Sequence, residues 1–118
     1  MTATTTLTPT AQGLADAFKA AAEAATEAAT EATDDGGTCN LDSVFLRARR
    51  GRTAAAVKAA ADAAGVTVTR TRGGYWNGWF VDVGERGQGA MRTRMVEAAY
   101  LALHAAGVKG TTIYYAMD

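Results

Sequence analysis

The chain has 118 residues, a formal net charge of zero at pH 7 and a hydrophobic fraction of 48%, of which alanine supplies 28 positions. This length fits one domain and excludes a large multidomain enzyme. Nine aromatic residues and zero net charge argue against a disordered chain. With one cysteine and one histidine, neither a zinc finger nor an intrachain disulfide can form.

The sequence predicts a cytoplasmic protein with no membrane partner. Its first ten residues have neither the basic start nor the apolar region of a secretory signal. The longest charge-free apolar stretch, residues 98–108, is shorter than the ~20 residues of a membrane span. Ala, Gly and Arg make up 50 residues and Lys, Ile and Asn only six, which indicates a high-GC bacterial genome or a phage that grows in one.

Charge is divided unevenly along the chain. Residues 1–42 carry one base and seven acids, a net charge of −6, whereas residues 43–118 carry eleven bases and five acids, a net charge of +6. Such asymmetry is typical of a protein with a nucleic-acid or other anionic partner, or of an acidic segment that covers a basic domain.

The first predicted element is an acidic amphipathic helix over residues 10–33. At 100° per residue, one stripe contains Leu14 and Phe18 and is otherwise alanine. We expect these two side chains to dock onto the rest of the protein or onto a second copy, giving a homo-oligomer. The repetitive alanine pattern leaves a solvated helical arm as an equal alternative. The sequence therefore divides into a helical arm and linker, residues 1–40, and a basic core domain, residues 41–118.

The pattern after residue 43 predicts a compact α+β core. Alternation, capping residues and glycines indicate strands at residues 44–48, 66–71, 79–83 and 111–117, and helices at residues 53–64 and 91–106. The order β-α-β-β-α-β predicts a ferredoxin-like core, with helices on one face of a four-stranded antiparallel sheet. The first strand has an alternative assignment, because residues 41–50 also fit a short helix capped by Asp42.

The predicted topology brings two loops to the same end of the sheet. One follows the first strand and the other is the hairpin after the second strand, and both are rich in arginine. Arginines bind phosphates and aromatic rings stack on bases, so this end predicts a nucleic-acid interface. The alternative is a solvated arginine rim beside aromatic core residues. The candidate residues are Arg47, Arg49, Arg50, Arg52, Arg70, Arg72, Tyr75 and Trp76.

The alternation of the strands predicts that Phe45, Phe80 and Tyr114 face away from the helices. Aromatics on strands one and three with nearby arginines resemble the platform of RNA-recognition domains, although that family's strand-three motif is absent. Alternatively, the N-terminal helix covers Phe45 and Phe80 through Leu14 and Phe18, with its acids over the arginines.

A glycine-rich segment, residues 84–89, lies between the third strand and the second core helix. Arg86, Gly87 and Gly89 resemble the coenzyme A pyrophosphate loop of GNAT-type acetyltransferases, over a region of about residues 79–115. Met91 departs from that pattern, and the chain ends one strand after the helix. Independently of the resemblance, the basic residues here attract anions. The candidate anion-binding residues are Arg86, Gly87, Gln88, Gly89, Arg92 and Arg94.

The sequence favours three functions. The first is a small non-catalytic nucleic-acid-binding accessory protein, whose partner is nucleic acid or an anionic protein. The second is a protein-interaction module, such as a phage inhibitor of a host complex, and the third is a truncated GNAT-like coenzyme A-binding domain. No catalytic residues, metal site or cofactor is predicted, because neither Cys39 nor His104 has an apparent partner for catalysis.

Overall fold

The computed structural model describes residues 9–31, 42–84 and 89–114. Its elements follow the predicted order, with an N-terminal helix before a β-α-β-β-α-β core. The prediction of an α+β protein with a four-stranded antiparallel sheet is confirmed. The helices are α1 (Pro9–Glu31), α2 (Ala54–Ala64) and α3 (Gly89–Ala105), and the strands are β1 (Ser43–Arg47), β2 (Thr67–Thr71), β3 (Gly78–Asp82) and β4 (Thr111–Tyr114).

The sheet has the strand order β2-β3-β1-β4. Every neighbouring pair is antiparallel, so β1 runs parallel to β2 across β3, and β3 runs parallel to β4 across β1. β1 is central, with Phe45 opposite Phe80 on one side and Thr112 on the other. The predicted first strand is therefore confirmed, and the alternative helix capped by Asp42 is wrong.

Helix α2 forms where its capping residues predict. The Thr53 hydroxyl accepts a hydrogen bond from the Ala56 backbone N–H at 3.1 Å, which satisfies a free donor in the first turn. Gly65 ends the helix with a left-handed φ of +76°, a conformation that glycine adopts without a Cβ clash. The short turn that follows leads directly into β2.

The core lies between the helices and one face of the sheet. Val44, Leu46 and Val81 point to this side from the two central strands and are fully buried. Val57 of α2 and Leu103 of α3 meet them from the helical layer. In the ranges that the structure covers, no helix is long and apolar enough to cross a bilayer.

Helix α1 belongs to the same core. It packs against both α2 and α3. Within the described ranges, α2 and α3 have no Cα atoms within 8 Å of each other, so α1 lies between them. Leu14 is 8% exposed and Phe18 is 0% exposed. Because α1 has a neighbour on each side, its buried face is wider than the predicted stripe. The buried alanines of α1 are Ala11, Ala15, Ala17, Ala21, Ala25 and Ala29.

The position of α1 overturns one expectation about the acidic segment. The helix lies on the helical side of the sheet, so it does not cover Phe45 or Phe80. Asp16 accepts a hydrogen bond from Gln12 Nε2 at 2.9 Å, and neither Asp16 nor Glu23 forms an ion pair with a core arginine in the described part of the chain. The predicted linker, residues 34–37, lies outside the described residues, and the division at residue 40 stays a prediction.

Candidate nucleic-acid interface

The face of the sheet opposite the helices, called the open face below, carries a mixture of aromatic and threonine side chains. Phe45 and Arg47 point to it from β1, Phe80 from β3 and Tyr114 from β4, and Phe45 lies directly opposite Phe80. None of the described helices packs on this side. Threonines from the outer strands complete the open face: Thr67, Thr69, Thr71 and Thr112.

Five rings form an aromatic cluster on the open face: Phe45, Tyr75, Trp76, Phe80 and Tyr114. The Trp76 ring centroid lies 4.9 Å from that of Phe45, 5.0 Å from that of Tyr75 and 4.7 Å from that of Tyr114. Phe80 contacts Phe45 at 5.1 Å and Tyr114 at 5.4 Å. All five contacts are edge-to-face, the arrangement that the ring quadrupoles favour.

The hairpin between β2 and β3 brings Tyr75 and Trp76 onto the open face. Gly73 and Gly74 both have positive φ values, +130° and +53°, which allow the chain to reverse. Arg47 then fastens the hairpin to β1, because its Nη1 donates to the Tyr75 carbonyl oxygen at 2.7 Å. The Ala48 backbone N–H donates to the Asn77 carbonyl oxygen at 2.9 Å.

Exposure is concentrated at the tip of the hairpin. The Tyr75 side chain is 69% exposed, whereas Phe45 is fully buried and Trp76, Phe80 and Tyr114 are half-buried. The Arg47 guanidinium carbon lies 4.0 Å from the Tyr75 ring centroid, a cation–π contact. Tyr75 and Arg47 thus present a flat aromatic surface next to a positive charge, supported from below by the other rings.

Arg70 is separated from this group. It lies on β2 opposite Trp79, and its guanidinium carbon is 4.8 Å from the Trp79 ring on the helical side of the sheet. Its Nη1 donates to the Thr71 and Gly78 carbonyl oxygens and to Asn77 Oδ1. Arg70 therefore covers the Trp79 core residue and braces the hairpin, on the opposite side from Arg47.

Beyond the end of β1 the chain forms a basic cavity of about 420 Å³. Among the described residues that line it, none is an aspartate or glutamate and four are basic: Arg49, Arg50, Arg52 and Lys109. Arg49, Arg50 and Lys109 are exposed, and their side chains have no hydrogen-bond or ion-pair partner within residues 9–31, 42–84 and 89–114. This group of cations is not neutralised by the described protein.

Arg52 has a structural role at this cavity. Its Nη1 donates to the Arg47 carbonyl oxygen at 2.8 Å and its Nη2 to the Lys109 carbonyl oxygen at 2.9 Å. Burial and the neighbouring charge of Arg49 lower the pKa of Arg52 from its usual value, because both disfavour a buried cation. Arg52 thus ties the end of β1 to the turn before β4.

The remaining predicted basic residues lie around the start of α3. Arg92 Nε donates to the Asp42 carbonyl oxygen at 2.9 Å, so it connects α3 to the start of β1. Arg94 is exposed on α3, and Gly89 is its first residue. Arg86, Gly87 and Gln88 lie outside the described residues, so the predicted anion loop and its resemblance to acetyltransferases stay predictions.

Lys109 is the residue of this region that sequence reasoning missed. Gly107 ends α3 and Gly110 precedes β4, so Lys109 sits at the tip of a short turn. The antiparallel pairing of β4 with β1 brings this turn to the end of β1, next to Arg52. The predicted topology could have identified Lys109, because antiparallel pairing places the start of the last strand beside the end of the first.

Metal ligands and Asp82 were the remaining features to locate. Among them no group of three or more His, Cys, Asp and Glu side chains could hold a metal ion. Asp82 is exposed at the far end of β3 and accepts a hydrogen bond from the Gly84 backbone N–H at 2.8 Å. The comparisons with protein families, with curated proteins and with solved structures found no match for this chain.

Proposed function

We propose that this protein binds single-stranded nucleic acid on the open face of its sheet, without catalysing a reaction. One observation carries the proposal: the exposed Tyr75 ring, held beside the Arg47 guanidinium, lies on a cluster of rings that no described helix covers. A single strand offers unpaired bases that stack on such rings, whereas the bases of a duplex are already stacked.

The chemistry of the open face suits this ligand. Tyr75 provides a ring for stacking, and Phe80 and Tyr114 are half-buried rings farther across the sheet. The threonines of β2 and β4 supply hydroxyl groups that can donate to or accept from base edges and sugars. Stacking on aromatic rings uses the flat face that every base has, so we expect binding with weak sequence preference.

Charge favours one end of the open face. Arg47 and the exposed Arg72 lie at the hairpin end, with Arg49 and Arg50 just beyond β1. Asp82 lies at the opposite end of β3, four residues after Gly78. A polyanionic backbone is attracted to the hairpin end, where each phosphate contact releases a counterion.

The proposed fold of the core is ferredoxin-like. Read from the other side, the strand order is β4-β1-β3-β2, and each β-α-β unit spans one intervening strand, as expected for a split βαβ arrangement. In such a fold the helices occupy one face and leave the other for a ligand. A cytoplasmic location, consistent with the single cysteine, would give access to nucleic acid.

The test is a titration of the full chain with a fluorescent single-stranded oligonucleotide and with its duplex. We expect tighter binding to the single strand. Tyr75→Ala should weaken that binding by roughly 1–3 kcal/mol, the contribution of one stacked base. Tyr75 is preferred to Trp76 for this purpose, because removal of the half-buried Trp76 ring would also open the aromatic cluster.

Leu101→Ala is the matched control. Leu101 is the other large apolar side chain that is mostly exposed in the described residues, at 61%, and it lies on α3. This variant should bind like the unmodified protein. Arg72→Ala should flatten the slope of log affinity against log salt by ~0.7, as expected for one lost phosphate contact on a single strand.

Equal affinities of the Tyr75→Ala and unmodified proteins, or no salt-dependent binding to DNA or RNA, would reject the proposal. The protein-interaction reading would then explain the aromatic cluster, since exposed aromatics also form the centres of protein interfaces.

A further inference from the structure

The basic cavity has three walls from distant parts of the chain. The first turns of α1 contribute Pro9 and Gly13, the loop after β1 contributes Arg49 and Arg50, and the turn after α3 contributes Lys109. Its volume of about 420 Å³ lies within the range of small-molecule sites, ~300–1,000 Å³. Leu14, Ala56 and Val108 add apolar lining. This partly open cavity can therefore hold a compact ligand that has a charged and a less polar part.

The electrostatics of the basic cavity favour a highly charged anion. The described lining residues include four basic side chains and no acid, and the positive end of the α1 helix dipole is at one wall. Burial lowers the pKa of Arg52, and the neighbouring positive charge of Arg49 lowers it further. In a concave site such charges reinforce one another, because the protein walls exclude part of the screening water.

The guanidinium groups of Arg49 and Arg50 are available to a ligand, whereas that of Arg52 is hydrogen-bonded within the protein. Arg52 is occupied by the Arg47 and Lys109 carbonyl oxygens, which fixes the loop after β1 against the turn before β4. Arg49 and Arg50 are exposed, and neither guanidinium has a partner in the described chain. Guanidinium groups bind phosphate oxygens in pairs of parallel hydrogen bonds, so these two suit a phosphate.

We propose that the basic cavity is a separate binding site for a phosphomonoester, held by Arg49 and Arg50. A phosphomonoester carries a charge of about −1.5 to −2 at pH 7, whereas each internal phosphodiester carries one, so the monoester matches four cations better. Such a group occurs on a free nucleotide or at the end of a strand. Binding of a phosphate at the end of a strand rests on the proposed function. The Arg47 carbonyl oxygen accepts a hydrogen bond from Arg52 at the cavity, and the Arg47 side chain contacts Tyr75 on the open face.

The experiment compares oligonucleotides of one sequence that carry a 5′-phosphate, a 3′-phosphate or only hydroxyl ends, together with free deoxyadenosine monophosphate. We expect one phosphorylated end to raise the affinity of the full chain roughly tenfold, about the effect of one hydrogen bond to a charged group. Arg49→Ala and Arg50→Ala should each reduce this preference, measured as the ratio of the affinity for the phosphorylated strand to that for the hydroxyl-ended strand.

Lys19→Ala is the charge-matched control. Lys19 is exposed on α1 and is not among the described residues that line the cavity. This variant removes the same charge and should keep the full preference for a phosphorylated end. Unchanged thermal melting of all three variants will show that loss of preference does not come from unfolding.

The outcomes separate the two proposals. Binding of all strands with equal affinity, and no binding of deoxyadenosine monophosphate, overturns the cavity site and leaves the open face intact. Binding of deoxyadenosine monophosphate that requires Arg49 and Arg50, without binding of any strand, supports the cavity site and rejects the proposed function. A preference that survives Arg49→Ala and Arg50→Ala overturns the assignment to this cavity.

Discussion

At Gly78 the backbones of β1 and β3 leave no room for a side chain. A Cβ atom there would lie 2.1 Å from the Leu46 carbonyl oxygen and 2.8 Å from the Arg47 Cα atom. Both are backbone atoms of the central strand, so neither can move aside without disturbing the sheet. Gly78 is also the residue at which the hairpin enters β3, and it therefore connects the sheet to the position of Tyr75 and Trp76.

We predict that Gly78→Ala lowers the free energy of unfolding by about 1–3 kcal/mol or more, as other overpacked sites do. Gly13→Ala is the control, because a Cβ at Gly13 meets nothing within 4 Å and the residue lies inside α1. It should raise the free energy of unfolding by roughly 0.5–1 kcal/mol, the usual gain in helix propensity. Chemical denaturation measures both, and an unchanged Gly78→Ala protein would contradict the described pairing of β1 with β3.

Single residues with local roles were the most predictable. Thr53 and Gly65 were identified from sequence as the ends of α2, since capping depends on the few residues around them. Arg70 was placed with the hairpin arginines, although strand alternation with Val68 already sets it on the helical side. Arg52 looked like a free cation, because nothing local indicates that its guanidinium binds the carbonyl oxygens of residues 47 and 109.

Among the elements, α1 was the hardest to interpret from sequence. Its alanine stripe is compatible with a solvated arm or with a packed helix, because alanine has high helix propensity in either setting. The structure shows why alanine suits the packed helix. Small side chains let α1 approach both α2 and α3, and Ala21 and Ala25 are fully buried there. Which neighbours it would meet depends on tertiary packing that no local pattern specifies.

We predict that Phe18→Ala destabilises the protein by about 3–5 kcal/mol, as expected for removal of a fully buried phenylalanine. Lys19→Ala is the control on the same turn, since Lys19 is exposed, and it should change the free energy of unfolding by less than about 0.5 kcal/mol. Thermal or urea denaturation of both variants gives the comparison. Equal stability of the Phe18→Ala and unmodified proteins would mean that α1 is not part of the core.

At the scale of the whole molecule, the placement of all three helices on one side determines what the other side can do. The open face keeps its aromatic cluster, and the arginines gather where β1 ends. The facing of Phe45, Phe80 and Tyr114 followed from the alternation of side chains along the strands. The folding of Trp76 onto Phe45 did not, because it depends on the hairpin glycines and on the bond from Arg47 to the Tyr75 carbonyl oxygen.

The acidic N-terminal helix does not act as a cover for the basic core, which was one interpretation of the uneven charge along the chain. Asp16 and Glu23 of α1 do not line the basic cavity, which only the acid-free first turns of this helix reach. The exposed arginines at the hairpin end of the sheet therefore remain uncovered by these acids, as the proposed binding of a polyanion requires.

The most direct measurement is an NMR titration of the isotope-labelled full chain with single-stranded oligothymidine of about ten nucleotides, a length typical of such binding sites. The account predicts that backbone amide signals shift along the open face, at Phe45, Thr69 and Thr112, and in the hairpin at Tyr75. Signals of Lys58 and Leu101 on the helical side should stay in place. Shifts confined to α1, α2 and α3, or no shifts at saturating oligonucleotide, would contradict it.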